Sequence, residues 1–532
     1  MQRASSSPDP LASDDNLRRI QVVAVISVVA MLFIAFRIAL LRGFDHMIGI
    51  DAWGRMLFAF GGAITDQTFG VGGYVTGGYV EQVLISNGLT DDPAVLAKLG
   101  TSFPDNLRNP VLIQNAINQA ASFAHGPGPL RGASGDDPGL VDYVKLSFAL
   151  FGRTLLGLFL TYFILLAIEA VVFLAAFRNR PSCLALLSVV LIAHACVIDS
   201  SVFDDFQLGT VSNPQFLSLL AVIPALHAAM LAIQRQPASP RSVLLVVLQA
   251  LPAALAIWIR ASAAWVLLAL LGLGIGLVVH ALVGKPDWRS RLGRIWPVAV
   301  FLIVIAGHGA SVRLTLNPVY RQQGDLSHHM LWHAILYSMQ LNPYLVQRFG
   351  PLFDGVTGDP MTWAASRVYL DRHPAAAEPG DYIDNHLTTA AVEKYSRAVF
   401  VEMVREDPVF VAKTFFYYKP RSVLLELVEP VGSLRGLSWL VTGAAALTTL
   451  VLAALMAPRR GECRQLALAA GAPSVGLVVL MGSAFLTLPM PADELLILLT
   501  VLGAWTMWAL ALLAVLGRRL LIMRAVVREA QY

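Results

Sequence analysis

Charged residues are scarce in this chain of 532 residues: they make up 14% of it, against roughly a quarter in an ordinary soluble domain. Hydrophobic residues make up 56%, and the mean hydropathy is +0.64. These values exclude a soluble globular protein and a disordered chain, because neither class carries so much apolar surface. Several separate apolar runs are each long enough to cross about 30 Å of hydrocarbon, so the composition predicts a polytopic membrane protein.

Cysteine is almost absent as well. Cys183, Cys196 and Cys463 lie far apart in the sequence, which excludes the close spacing of a thiolate zinc site and the dense pattern of a disulfide-stabilised fold. The net charge is only +4, and the basic residues form short clusters beside apolar runs. That arrangement is typical of topology signals, so we expect membrane lipids and no nucleic acid as partners.

Windows of about twenty apolar residues predict ten transmembrane helices. The predicted fold class is therefore all-α and polytopic, with a mainly helical extracytoplasmic cap built from two long loops. The predicted spans cover residues 20–42, 153–178, 183–198, 214–233, 241–259, 262–282, 294–311, 435–457, 465–489 and 492–517.

The orientation is predicted from lysine and arginine, because positively charged flanks resist translocation. Placing the amino terminus inside puts clusters such as Arg18 with Arg19, and Arg518 with Arg519, in the inner segments. Both termini are then cytoplasmic, and the location that we expect is a bacterial plasma (inner) membrane. The first span is followed by no small-residue cleavage site, so it is predicted to be a retained signal anchor.

The predicted spans divide the chain into segments, with no internal repeat. These are a cytoplasmic tail (1–19), a signal-anchor helix (20–42), a first extracytoplasmic loop (43–152), a six-helix membrane block (153–311), a second extracytoplasmic domain (312–434), a three-helix membrane block (435–517) and a basic cytoplasmic tail (518–532).

The two long loops contain helical patterns of their own. In the first loop a helix is expected to begin at Pro110. In the second loop the spacing predicts helices over residues 327–340, 388–405 and 408–428, the last with Asp407 as its N-cap.

The short inner loops leave no room for a nucleotide-binding domain. The sequence contains no G-x-x-x-x-G-K-[ST] motif, and its glycine-rich stretch from Gly70 to Gly78 falls on the outer side, where nucleotides are not normally available. An enzyme with this topology is expected to take its activated substrate from the membrane.

Two acids just beyond the first span are candidate catalytic residues. Asp45 and Asp51 lie within reach of a lipid headgroup, where a carboxylate can take a proton from an acceptor hydroxyl or help to hold a divalent metal. The alternative is that both are ordinary solvated loop acids.

Histidines form a second candidate group in the second loop. In a helix, His329 and His333 lie one turn apart on one face, a spacing that suits a metal ligand pair or a general base. The H-E-x-x-H motif of zincins is absent, and a pair of interfacial histidines beside Trp332 and Tyr337 is the alternative.

Arginines at the predicted outer ends of spans run against the inner excess of positive charge. Arg37, Arg260 and Arg321 are the candidates for binding a phosphate, because guanidinium groups match phosphate oxygens. Snorkelling of long side chains from helix ends is the alternative.

A few polar residues fall inside the predicted spans, where ionisable groups are expensive and often functional. They are Glu169, His194, His227, Gln249 and His308. Structural pairing is the simpler role for each, while a proton-coupled transporter would need several of them at mid-membrane.

The arrangement as a whole resembles the GT-C superfamily of polytopic glycosyltransferases. The likeness rests on the first span followed by acids in a long outer loop, on arginines at outer span ends, and on the segment Asp407-Pro408-Val-Phe-Val-Ala-Lys413 that leads towards the next span. The adjacent acidic pair that many members carry after the first span is missing here.

The resemblance implies an enzyme that moves a sugar from a polyprenyl-phosphate-linked donor to an extracytoplasmic acceptor, with Asp51 or Asp45 as the catalytic acid. Arg260, Arg37 and Arg321 would then hold the donor phosphate, and His329 and His333 would orient the donor or a divalent metal. Two alternatives stay open: an O-antigen-type polymerase or ligase that relies on Arg321 and His333, and a non-enzymatic transporter or envelope assembly subunit.

Overall fold

The computed structural model describes scattered residues between 18 and 37, and then residues 55–199, 214–283, 293–319, 331–422, 439–456, 460–483 and 491–529, with short gaps at 104, 124, 133–138, 359 and 384–385. Almost all of the described chain is helical. Two antiparallel pairs of very short strands are the β-structure within these ranges.

The first helical unit precedes the long apolar helices and contains five helices and one strand pair. Its elements are α1 (Arg55–Phe69), β1 (Val75–Gly77), α2 (Gly78–Ser86), α3 (Pro93–Lys98), α4 (Pro110–Ala121), β2 (Leu130–Gly132) and α5 (Gly139–Phe151).

Helix starts in this unit follow ordinary capping chemistry. The Asn109 side chain accepts a hydrogen bond from the Leu112 backbone at 3.1 Å, and Pro110 occupies the first helical position, so the helix predicted to begin at Pro110 is confirmed. Asp92 caps α3 in the same way. The apolar faces meet around Phe60, which is fully buried in one core with the membrane helices.

Apolar helices follow, most of them of spanning length. In chain order the next helices are α6 (Leu155–Phe177), α7 (Pro181–Asp199), α8 (Val222–Ile233), α9 (Pro240–Ile259), α10 (Trp265–Val283) and α11 (Trp296–Thr315). The Ser239 side chain caps α9 by accepting a hydrogen bond from the Ser242 backbone at 3.1 Å, and Pro240 occupies its first turn.

The second helical unit lies between α11 and the last membrane helices. Its elements are α12 (Leu331–Tyr337), α13 (Leu345–Phe349), α14 (Pro360–Arg372), β3 (Tyr382–Ile383), β4 (His386–Leu387), α15 (Thr389–Glu406) and α16 (Pro408–Lys413). Its core packs Met339, Phe349 and Phe353 against Val399 and Met403. A π-helical turn, Thr414–Tyr418, follows α16.

Of the three helices predicted in this unit, one is confirmed and two are described only in part. The helix expected over residues 388–405 is α15, and Asp407 caps α16 by accepting a hydrogen bond from the Phe410 backbone at 2.9 Å. The expected helix 327–340 is a short α-helix, α12, continued by a 3-10 turn at Ser338–Leu341. Helical residues continue to 422, and the predicted end of the third helix at 428 lies outside the described residues.

The carboxyl-terminal part contains α17 (Trp439–Met456), α18 (Arg460–Ser483) and α19 (Pro491–Glu529). Helix α19 is 39 residues long and continues well past the predicted span end at 517. Arginine is a good helix former, so Arg518 and Arg519 end the apolar run without ending the helix.

Seven helices in the described ranges are long and apolar enough to cross a membrane, which gives the chain the character of a multi-pass membrane protein. These candidate spans are Leu155–Phe177, Pro181–Ile198, Pro240–Ile259, Trp265–Val283, Trp296–Thr315, Cys463–Leu480 and Leu495–Arg524. They coincide with seven of the ten predicted spans. Of the other three, 214–233 holds a shorter apolar helix, Ser218–Ile233, 435–457 holds α17, and 20–42 is described only in part.

The burial of side chains shows which helices lie inside the bundle and which lie at its surface. Every residue from Pro181 to Ile198 in α7 is buried, so this helix lies at the centre. Helices α10 and α11 instead expose large aliphatic side chains such as Leu268, Ile275 and Ile303. An apolar surface on helices of spanning length is what lipid chains require.

Candidate functional site

A half-buried group of polar side chains lies where the first helical unit meets one end of the membrane helices. We call Asp66, Tyr74, Asp142, Lys145 and His308 the polar cluster. They come from α1, the glycine-rich stretch, α5 and α11, so four separate parts of the chain contribute to it.

Hydrogen bonds and an ion pair join most of the polar cluster. The Tyr74 hydroxyl donates to Oδ2 of Asp142 at 2.6 Å, and the Lys145 ammonium forms an ion pair with Asp66. Lys145 lies one helical turn after Asp142, and His308 is close enough to interact electrostatically with the Asp142 carboxylate.

The glycine-rich stretch is shaped by left-handed backbone conformations. Gly72 and Gly73 have φ angles of +64° and +73°, and Tyr74, which is not a glycine, has a φ of +64°. The Gly72 backbone donates to Oδ1 of Asp66 at 2.7 Å, and the Asn317 backbone donates to the Gly73 carbonyl at 3.3 Å. A side chain at Gly73 would collide with Asn317, since an added Cβ would lie 2.4 Å from its nitrogen.

The end of α9 closes one side of the polar cluster. The Trp258 ring packs edge-on against Tyr74 with 5.6 Å between ring centroids, and the start of α5 at Gly139 lies directly against the backbone of Trp258 and Ile259. Arg260 is the C-cap of α9, two residues beyond Trp258. Arg260 and Asp142 therefore lie at the same end of the bundle.

Burial controls the protonation of the central acid. Desolvation raises the pKa of Asp142 above its ordinary value, while the hydrogen bond from Tyr74 and the charge of Lys145 act in the opposite direction. A carboxylate with a raised pKa is a better proton acceptor than a fully solvated aspartate, which is the property that a general base needs.

The donors and acceptors of the polar cluster indicate which chemistry it offers. Its acids are paired with a tyrosine hydroxyl and an ammonium group, an arrangement that suits proton transfer and anion binding. Within the residues that the structure describes, no group of three or more His, Cys, Asp and Glu side chains is arranged to hold a metal ion.

Three of the seven candidate catalytic and ligand-binding residues can be placed. Arg260 is the C-cap of α9, at the end of the bundle that carries the polar cluster, and Arg37 is an exposed helical residue. The backbone nitrogens of Trp332 and His333 donate to the two carboxylate oxygens of Glu393 at 2.8 and 2.9 Å, and the His333 ring stacks on Tyr337. This places His333 at a capped helix start within the second helical unit.

The other candidates, Asp45, Asp51, Arg321 and His329, lie outside the described residues. Their roles stay predictions, and nothing in the described part of the chain brings them together with Arg260 or His333.

Sequence reasoning missed Asp66, Asp142 and Lys145. All three lie inside ordinary amphipathic helices, where an acid or a lysine is most often a solvated surface residue. One usable signal was present: the glycine-rich stretch around Tyr74 forces the backbone close to its neighbours, and the elements that it approaches carry these side chains.

Inside the bundle, a second polar group surrounds Glu169 on α6. Glu169 is fully buried, and neither of its carboxylate oxygens has a hydrogen-bond partner among the described residues. The Gln249 side chain donates to the Glu169 backbone carbonyl at 2.7 Å, and Tyr162, two turns earlier on α6, has a buried hydroxyl that is also unpaired in the described region. Such unsatisfied groups at membrane depth are functional candidates.

Comparisons with protein-family models, with curated proteins and with solved structures found no match to this chain. The interpretation of the polar cluster and of the buried Glu169 therefore rests on their own geometry.

Proposed function

We propose that this protein is an integral membrane glycosyltransferase that moves a sugar from a polyprenyl-phosphate-linked donor to an extracytoplasmic acceptor. The observation that carries the proposal is the half-buried Asp142, which lies in the polar cluster at the end of the membrane helices that also bears Arg260. A proton acceptor and a phosphate-binding cation at one membrane surface are what transfer from a lipid phosphate requires.

In the proposed reaction Asp142 accepts a proton and Arg260 stabilises the leaving phosphate. The acceptor hydroxyl oxygen attacks the anomeric carbon of the donor sugar, and its proton passes to the Asp142 carboxylate. The bond between that carbon and the phosphate oxygen breaks, and the polyprenyl phosphate leaves with the electron pair, stabilised by the Arg260 guanidinium. Attack from the face opposite the phosphate inverts the anomeric carbon.

Neighbouring residues position the Asp142 carboxylate and adjust the charge around it. The Tyr74 hydroxyl fixes one oxygen of Asp142, and Lys145 neutralises Asp66, so the charge next to Asp142 is reduced. Trp258 packs edge-on against Tyr74 and helps to hold its ring in place. The acids expected from the family resemblance, Asp51 and Asp45, are alternative proton acceptors in the same proposal.

The membrane arrangement that accompanies this function is the one expected from the sequence. Ten spans with both termini cytoplasmic place the first helical unit (55–151) and the second helical unit (331–422) together in an extracytoplasmic cap. The donor then reaches the polar cluster from the outer leaflet, and no nucleotide is needed.

The test is sugar transfer by the detergent-purified full-length protein from a panel of radiolabelled polyprenyl-monophosphate sugars. Asp142→Asn is expected to lower the rate about 100-fold or more, as loss of a general base does. In the wild-type protein the rate should fall as the pH drops through the raised pKa of Asp142, and the residual activity of Asp142→Asn should lack that fall.

Asp91→Asn is the matched control, because Asp91 is an exposed acid of the same unit outside the polar cluster, and it should keep full activity. Loss in Asp51→Asn or Asp45→Asn with full activity in Asp142→Asn would transfer the role of base to the first outer loop. Full activity in all of these acid variants would overturn the proposed mechanism.

A second candidate function, proton-coupled transport, is favoured by one specific observation. Glu169 is buried at membrane depth with both carboxylate oxygens unpaired among the described residues, next to Gln249. Proton flux into proteoliposomes, followed with a trapped pH dye, separates the two functions: transport predicts flux that is lost in Glu169→Gln and kept in Asp142→Asn.

The polymerase or ligase alternative relied on Arg321 and His333. The structure gives the His333 backbone a capping contact with Glu393 and its ring a stacking contact with Tyr337. No observation in the described part of the chain favours this alternative over the other two.

A further inference from the structure

A cavity of about 390 Å³ opens where the ends of α6 and α8 meet the start of α9. Four arginines surround its mouth. Arg178 and Arg180 come from the connection between α6 and α7, Arg235 follows α8, and Arg241 lies in the first turn of α9. Because α9 has 20 residues, this cavity lies about 30 Å from Arg260 and from the polar cluster, at the opposite end of that helix.

The charge of this cavity is unbalanced. No Asp or Glu belongs to its described lining, and none of the four arginines forms an ion pair with a described residue. Single arginines on short inner connections are ordinary topology signals. Here two connections converge on one concave surface, so the positive charges reinforce one another and create an anion-binding field.

A buried histidine forms the deep end of the cavity. His227 on α8 lies two helical turns before Gln234, a residue next to Arg235 in the cavity lining. Two turns correspond to about 10 Å, so His227 lies about 10 Å deeper than the arginines. It is fully buried, and neither ring nitrogen has a hydrogen-bond partner among the described residues. Its ring packs against Phe173 and Phe177, with centroid distances of 5.7 and 5.3 Å. A polar atom of a bound molecule would satisfy this otherwise unpaired imidazole.

Below the arginines the lining combines polar and apolar side chains. The apolar ones are Ala175, Ala176, Leu231 and Leu245, and the uncharged polar ones are Asn179, Gln234, Gln236 and Ser242. A cavity with a cationic mouth and partly apolar walls at the end of membrane helices matches a phospholipid, whose phosphate lies at the surface and whose polar glycerol esters and apolar chains lie further in. Free phosphate would use only the mouth.

The cavity is held in shape by hydrogen bonds between separate helices. The Gln234 side chain donates to Sγ of Cys183 at 2.7 Å, which links the end of α8 to the start of α7. The Trp296 indole donates to the Gln236 carbonyl at 3.0 Å, and the Gln21 amide donates to the Arg178 carbonyl at 2.6 Å. The arginine-bearing connections are thus fixed on both sides before any ligand arrives.

We propose that this cavity is a binding site for the phosphate headgroup of an anionic membrane phospholipid. The guanidinium groups of Arg178, Arg180, Arg235 and Arg241 bind the phosphate oxygens, and the polar glycerol ester part of the lipid extends along the cavity walls towards His227. The site is separate from the polar cluster, and its occupancy does not depend on the proposed glycosyl transfer.

The experiment measures lipid binding by the full-length protein in neutral detergent. Phosphatidylglycerol, phosphatidylcholine or inorganic phosphate is added, the thermal unfolding midpoint is recorded, and native mass spectrometry counts the retained lipid. Phosphatidylglycerol is expected to raise the midpoint and to stay bound, whereas the other two are not. The double variants R178Q/R180Q and R235Q/R241Q are expected to bind phosphatidylglycerol at least about tenfold more weakly.

R518Q/R519Q is the matched control, because it removes the same charge from two exposed arginines of α19 outside the cavity. It should retain wild-type lipid binding. The four cavity arginines are also exposed, so their glutamine variants are expected to fold, and the unfolding midpoint without lipid checks this. The single variant R241Q, which keeps three arginines, should show a smaller loss.

Three results would overturn the proposal. An equal shift with inorganic phosphate would identify a free-phosphate site, and equal binding of phosphatidylcholine would show that the anionic headgroup is not recognised. An equal loss of phosphatidylglycerol binding in R518Q/R519Q would show that binding depends on general surface charge and not on the cavity.

Discussion

Lys419, in the second helical unit, is buried with no hydrogen-bond partner for its ammonium group in the described residues. Its nitrogen lies 5.3 Å from the centre of the Phe415 ring. Burial lowers the pKa of Lys419 from its ordinary 10.5 to about 7, because water no longer solvates the charged form. Near neutral pH this side chain is therefore only partly charged in the folded protein.

The pH dependence of stability follows from that shift. Between about pH 7 and 10.5 the unfolded chain holds the Lys419 proton and the folded chain has released it, so the unfolded state binds more protons and stability rises with pH. We predict that the unfolding midpoint rises from pH 7 to pH 10 in the wild-type protein. In Lys419→Met the rise should flatten and the midpoint at pH 7 should be higher, since no buried charge has to be accommodated.

Lys413→Met is the control for this measurement, because Lys413 is exposed on α16. It should leave the pH profile unchanged. Identical profiles for Lys419→Met and the wild-type protein would contradict the assignment.

The candidate residues differ in how far they were predictable. Arg260 was identifiable from the sequence because a cation in a short turn between two spans must stay close to the membrane surface. Asp142 was not, since its contact with Tyr74 joins residues 68 positions apart and depends on how α5 folds back on the glycine-rich stretch. Local patterns carry no information about such pairings.

Among the helices, the contact between α5 and α9 determines where Asp142 lies. Gly139 starts α5 directly against α9, and an added Cβ would lie 2.5 Å from the Trp258 carbonyl carbon and 2.6 Å from the Ile259 nitrogen. Both atoms belong to the backbone, so neither can move aside without shifting the helix.

Gly139→Ala is therefore expected to destabilise the protein by about 1–3 kcal/mol through overpacking and to displace Asp142 from the polar cluster. The unfolding midpoint and the sugar-transfer rate would both fall. Gly272→Ala on α10 is the matched control, because no atom lies within 4 Å of its added Cβ. Alanine there should be neutral or stabilising by up to about 1 kcal/mol, and equal losses in the two variants would contradict the steric explanation.

Helix boundaries were predictable where capping residues mark them. Asn109 with Pro110, Ser239 with Pro240 and Asp407 with Pro408 each begin a helix in the structure. The end of α19 was not predictable in this way, because hydrophobicity reports where an apolar run stops and says nothing about whether the backbone stays helical beyond it.

For the whole molecule, the orientation in the membrane is a prediction that cysteine labelling can test. The three cysteines are buried, so the wild-type protein should not react with a membrane-impermeant maleimide. Labelling of a single introduced cysteine can therefore be measured without background from the native cysteines. Ser86 in α2 and Ala238 between α8 and α9 are exposed positions on the two predicted sides.

In intact spheroplasts, Ser86→Cys should be labelled and Ala238→Cys should be labelled only after the membrane is permeabilised. This is the result expected if cationic connections stay inside. The reverse pattern would invert the topology and would place the arginine-lined cavity outside and the polar cluster inside.

The sequence by itself determined that this is a helical multi-pass membrane protein, and it located seven spans and several helix starts. Hydrophobic length and capping are local properties, so they can be read from neighbouring residues. Only the tertiary structure decided that Asp142 meets Tyr74, that the Glu169 carboxylate is buried without a hydrogen-bond partner in the described region, and that four arginines from two connections and the first turn of α9 line one cavity. Those contacts depend on how the helices pack together, which short-range sequence patterns do not specify.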